Sequence, residues 1–184
     1  MATIRGGQKL EAELAKLARL VKRRASVRVG FLEKAKYPGG VPVAAVAAFQ
    51  EYGTPNARFP IPPRAFFRNM IARESPGWPS ALANLLKLHG YDAAAALDLM
   101  GDGIAGQLRQ SIIDTNAPPL SPVTLLLRQR FGNQPHNIRL RDVLEAARDV
   151  RTGQRARRQS QGGPSTKPLV WTGHLLGSVD HEVR

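Results

Sequence analysis

The residues best suited to acid-base or metal chemistry in this chain are its four histidines and its helically spaced acids. His89, His136, His174 and His181 have no ligand spacing among them, and His174 and His181 straddle an expected helix-to-strand break, so they read as structural or surface side chains. Asp98 and Asp102 fall four apart on one helical face. Such a pair can move protons or hold a cation, but here it reads as a solvated helix face. The cluster Gly101-Asp102-Gly103 with Gly106 lies inside a helical pattern and lacks the preceding strand and the lysine of a phosphate-binding loop. These glycines instead suit close helix packing or a kink. Ser111, Ser121 and Ser178 lack the local context of an activated nucleophile. The chain has no cysteine, which excludes disulfides, thiolate metal sites and cysteine nucleophiles and fits synthesis in a reducing cytoplasm. The expectation is a protein that is not an enzyme, with no catalytic residues, no cofactor and no metal.

The remaining chemistry is that of guanidinium groups. The net charge is +13, and all of the excess sits in two segments. Residues 1–30 hold eight basic and two acidic residues, residues 128–167 hold ten and three, and the rest of the chain balances. Clustered arginines gain affinity for phosphates by releasing counterions. Arg155, Arg157 and Arg158, with Arg23 and Arg24, are therefore the candidate contacts to DNA or to an acidic partner. Aromatic residues make up only 6% of the chain, so such contacts should be electrostatic and indifferent to base sequence.

Hydrophobic spacing supplies the elements that must position these residues. Leu10, Leu14, Leu17 and Val21 predict an amphipathic, basic helix over Lys9–Arg24, and the period-two pattern of Ser26–Glu33 predicts a half-buried strand on whose sheet that helix should pack. Pro42 can open a short, nearly apolar helix over Val43–Tyr52, which Gly53 ends. A stiff proline-containing loop, Thr54–Pro63, then leads to a helix carrying Phe66, Phe67, Met70 and Ile71. Trp78–Leu88 reads as a further helix. Asp92 can cap a long one reaching Asp114, with Leu97, Met100, Ile104, Leu108 and Ile112 on one face. One or two helical turns are expected over Val123–Arg130, and a basic helix over Ile138–Val150. The tract from Thr152 to Gly163 has too few apolar residues to order itself and reads as a loop or extended arm. A short helix capped by Thr172 and a terminal strand from about Ser178 close the chain. The organisation expected is one domain over residues 1–184 with an inserted basic arm at about 131–167. Its class is α+β: a small twisted antiparallel sheet packed by helices, with a long central helix and a basic flexible insertion. No stretch reaches the ~18 apolar residues of a membrane span, and the N-terminus has no leader pattern.

Three passages together carry a resemblance. They are Val46-Ala47-Ala48-Phe49-Gln50-Glu51-Tyr52-Gly53-Thr54, then Ile61-Pro62-Pro63-Arg64-Ala65-Phe66-Phe67-Arg68, and Pro168 through Val179 with its Thr172-Gly173-His174-Leu175 core. In order and content the chain resembles the neck and tail-completion proteins of long-tailed bacteriophages, a group of virion morphogenesis and minor tail proteins. It departs from that pattern at Ala65, where a second proline is expected, and by an insertion over residues 131–167. The resemblance implies an α+β subunit of a homo-oligomeric ring at the head-tail junction: neck, collar or tail completion. Its partners would be copies of itself, other connector and tail proteins and genomic DNA in the channel, with no membrane; its place would be the host cytoplasm before assembly and the virion afterwards. Candidate subunit contacts are Glu51, Tyr52, Arg64, Phe66, Phe67, Arg68 and Trp171, with Phe66, Phe67 and Met70 also read as core. The competing expectation is a sequence-independent DNA-binding or packaging-associated protein.

Overall fold

The longest element is α5 (Ala93–Asp114), 22 residues that form the axis of an α+β fold. It starts where the sequence says it must: the Asp92 carboxylate accepts from the amides of Ala94 and Ala95 at 3.0 and 3.3 Å, satisfying donors that have no partner within the helix. Met100, Ile104, Leu108 and Ile112 follow the expected spacing and are buried, together with Ala96 and Ala105. Each fully buried aliphatic side chain of this size contributes roughly 1.5–3 kcal/mol. The structure, a computed structural model, describes residues 7–21, 25–153 and 165–184.

Against α5 lies a two-stranded antiparallel sheet of β1 (Val27–Phe31) and β2 (Val179–Val183), joining the two ends of the chain. Val27 faces Val183, Val29 faces His181 and Phe31 faces Val179, so strand alternation puts these six side chains on one face. Gly101 lets α5 approach this face closely. A Cβ there would lie 2.5 Å from the His181 ring and 2.6 Å from Val27. Close packing is therefore the role of Gly101, whereas Gly103 and Gly106 have no such neighbour.

Around this centre stand α2 (Val43–Tyr52), α3 (Phe66–Glu74), α4 (Trp78–Leu88) and the four-residue α8 (His174–Gly177). One core joins Val43 and Ala47 of α2, Phe66 and Met70 of α3, the α5 stripe, and Leu169, Leu175 and Val179 from the C-terminal segment. Polar ties fix the helices: Ser111 donates to the Phe66 carbonyl at 2.7 Å, and the Trp78 indole donates to Gln107 at 3.0 Å. Thr172 accepts from the His174 amide at 3.3 Å, with Gly173 as the cap residue of α8.

Two elements differ from expectation. The N-terminal helix α1 (Gly7–Val21) forms, but Leu10 and Leu14 are 63% and 56% exposed, so it does not lay that face on the sheet. The reason is geometric: α5 occupies the apolar side of the sheet, and the other side presents Arg28, Asp180 and Glu182. The second difference lies just before the insertion. Ser121 caps a ten-residue α6 (Pro122–Phe131), longer than the one or two turns expected. It pairs with α7 (Leu140–Thr152) through a second cluster of Leu126, Leu127 and Ala146. The basic helix expected over Ile138–Val150 is α7, packed on α6. The arm's tract from Gln154 to Pro164 lies outside the described residues.

Candidate functional site

α2 is a ridge between two grooves. Its buried line, Val43, Ala47 and Glu51, keeps the four-residue spacing that faces the core. The opposite side exposes Phe49 and Tyr52 at 51% and 64%. On one flank a groove runs over β1 and α3, lined by Ala44, Ala48, Tyr52, Phe67 and Ile71. On the other flank a larger cleft opens toward the C-terminal segment.

Glu51 is the most constrained residue of this ridge. Only 4% exposed, it turns its carboxylate onto the start of α3, accepting from the amides of Phe67 and Arg68 at 2.9 and 3.1 Å. It also accepts from Arg68 Nε at 2.8 Å. A carboxylate at a helix N-terminus satisfies orphan amides and opposes the positive end of the helix dipole. Beside it, Gly53 turns the chain at φ 75°, where a Cβ would come within 2.7 Å of the Ile61 carbonyl oxygen and 2.9 Å of Pro63 nitrogen. Thr54 closes the loop: its amide donates to the Ile61 carbonyl and its hydroxyl accepts from the Ile61 amide, at 2.9 and 3.0 Å. The Glu-Tyr-Gly-Thr passage therefore holds α2, the loop and α3 as one rigid shoulder.

The second groove is a cleft of about 680 Å³ whose lining includes Tyr37, Val41, Gln50, Arg128, Trp171 and His174. Arg128 reaches from α6 beneath the C-terminal segment and is 3% exposed. It donates to the carbonyls of Ser165, Lys167, Pro168 and Val170 at 2.6–3.3 Å. Its guanidinium carbon lies 5.1 Å from the centroid of the Trp171 ring, and the Trp171 indole donates to the Gly132 carbonyl at 2.5 Å. Arg64, 4% exposed, is bound in the same way: it donates to the Pro118 and Pro119 carbonyls and to the Gln50 side chain at 3.0–3.4 Å. Burial lowers both arginine pKa values, and for Arg128 the neighbouring Arg64 charge adds to burial, bringing it to about 10. Both remain cationic at neutral pH. Burial also raises the Tyr37 phenol.

Three of the expected subunit contacts are thus internal. Glu51 pairs with Arg68 of its own chain, Arg64 is sealed under Pro118 and Pro119, and Phe66 is 1% exposed in the core. Tyr52 and Arg68 remain at the surface, with Arg68 stacked 4.9 Å from the Tyr52 ring centroid. Phe67 and Trp171 are half-buried. Arg23, Arg24, Arg155, Arg157 and Arg158 lie outside the described residues. Part of the described basic charge is balanced locally, since Arg130 pairs with Asp149 and Glu145, and Arg141 with Asp142. Two of the histidines have side-chain partners: His181 Nε2 lies 3.1 Å from Asp98, and His174 Nε2 lies 3.0 Å from the Lys36 carbonyl. Arg128 was not singled out by its sequence context, the sole hint being a cation that ends the apolar run Leu125-Leu126-Leu127.

Among the described residues no group of three or more histidines or acids is arranged to hold a metal ion, and no helix is long and apolar enough to cross a membrane. Comparison of the chain with protein-family models, with curated proteins and with solved structures returned no match.

Proposed function

We propose that this chain is a structural subunit of a homo-oligomeric ring at the head-tail junction of a long-tailed bacteriophage, where it joins tail to head. The observation that carries this reading is the α2 shoulder: Phe49 and Tyr52 stand more than half exposed on a helix that Glu51, Gly53 and Thr54 hold rigid. Large aromatic side chains on a preorganised element lose little entropy on docking and are the usual anchors of protein-protein interfaces. Ile71, 38% exposed in the neighbouring groove, extends the same apolar surface. The resemblance in sequence supports the reading from a second direction. Its three passages converge, with Ala47, Phe66, Leu169, Leu175 and Val179 meeting in one core.

Within this reading the shoulder of one subunit docks on the next, and the basic residues Arg23, Arg24, Arg155, Arg157 and Arg158 face the phosphates of DNA in the channel. Phe49→Asp and Tyr52→Ser test it. Both side chains point away from the core, so each variant should keep the unfolding midpoint of the parent within about 0.5 kcal/mol while losing ring formation and incorporation into particles. Rings formed unchanged by the Phe49→Asp and Tyr52→Ser double variant would overturn it.

A further inference from the structure

Two helices keep leucines open to solvent, and the charges beside those leucines are of opposite sign. On α1 the exposed Leu10 and Leu14 are one turn apart, and helical geometry puts Glu11 and Glu13 on either side of that pair. Lys9 and Lys16 lie behind Glu13, away from the leucines. Glu13 meets Lys16 at 4.0 Å, a contact between two exposed side chains. No ion pair among the described residues includes Glu11.

On α7, Leu140 and Leu144 are 54% and 45% exposed, and the exposed Arg148 and Arg151 continue the same face one and two turns on. The acids of this helix are engaged elsewhere. Glu145 and Asp149 pair with Arg130 of α6, and Asp142 accepts from the Arg139 amide at the start of α7. No ion pair among the described residues includes Arg148 or Arg151. A leucine pair flanked by carboxylates on one helix and a leucine pair extended by guanidinium groups on another satisfy each other. The apolar side chains bury together, while charges at the rim select the partner and fix the register. Within one chain neither leucine pair is covered, so the match is left for two chains.

We propose that α1 of one copy packs along the outer face of α7 of a second copy, Leu10 and Leu14 against Leu140 and Leu144, with Glu11 and Glu13 facing Arg148 and Arg151. The phosphates of DNA would engage the arginines and leave the four leucines in water, so a second copy is the better occupant. Because α1 and α7 are different surfaces and each chain offers one of each, the contact is heterologous, the kind that builds a ring when its rotation closes. It involves neither Phe49 nor Tyr52 and stands apart from the shoulder.

Cross-linking tests it in the full chain, which has no cysteine of its own. A Leu14→Cys chain and a Leu144→Cys chain carrying a small mass tag are mixed and treated with a short bismaleimide. The mixed product should exceed either same-site product about five-fold, as a heterologous contact requires. Glu11→Arg with Glu13→Arg in the first chain should lower the mixed product about five-fold, and Arg148→Glu with Arg151→Glu in the second should restore it. All four charged positions are exposed, so the unfolding midpoint should not move. A mixed product at no more than the random proportion, or one indifferent to the charge reversals, would overturn the proposal. So would Arg148→Glu with Arg151→Glu abolishing binding to a DNA duplex while leaving the mixed product unchanged, because the α7 face would then belong to nucleic acid. Rings that assemble without the mixed product would remove this contact and leave the shoulder standing.

Discussion

Glu51 and Gly53 show how single residues acquire their roles. Glu51→Ala leaves the Phe67 and Arg68 amides without their acceptor, and loss of such a cap with its charge-assisted bonds should cost about 2 kcal/mol in urea unfolding. A loss under about 0.5 kcal/mol would show that solvent replaces the carboxylate. Gly53→Ala should be no milder, because a Cβ would overlap the Ile61 carbonyl and the residue holds a positive φ. The glycine was legible as a helix stop. The partner of Glu51 was not, because Arg68 lies 17 positions away across a loop whose path depends on the Thr54–Ile61 closure rather than on any local periodicity. Arg64 and Arg128 were misread or missed for a related reason. A buried arginine satisfied by backbone carbonyls carries no pattern that separates it from a surface one.

At the scale of elements, periodicity located α2, α4 and α5 well, because each has a cap or a breaker at its ends and a stripe that the core uses. It could not reveal that Leu10 and Leu14 of α1 stay exposed among the described residues. Amphipathicity reports that a face wants burial, and says nothing of what is available to bury it. The same helix, α5, gives a test of opposite signs. Gly101→Ala should destabilise by about 1–3 kcal/mol, since its Cβ meets His181 and Val27. Gly103→Ala and Gly106→Ala, open to solvent, should each stabilise by about 0.5–1 kcal/mol through helix propensity. Thermal unfolding of the three variants checks this, and a uniform sign would contradict the packing. The α6–α7 pair rests on its own small cluster, so amides of α7 should exchange with solvent at lower protection than those of α5.

The whole molecule combines a rigid apolar shoulder with a strongly basic chain, and the two features make separate predictions. Contacts to DNA should be electrostatic: affinity for a duplex should fall steeply and linearly on a logarithmic salt scale and should be the same for unrelated sequences. Assembly should depend on the shoulder instead. The most direct test is the mass and shape of the purified chain, alone and with phage heads or tails, by light scattering and electron microscopy. The account predicts a closed ring, or a monomer that becomes one at the head-tail junction. A chain that stays monomeric, ignores both particles and binds only DNA would contradict it.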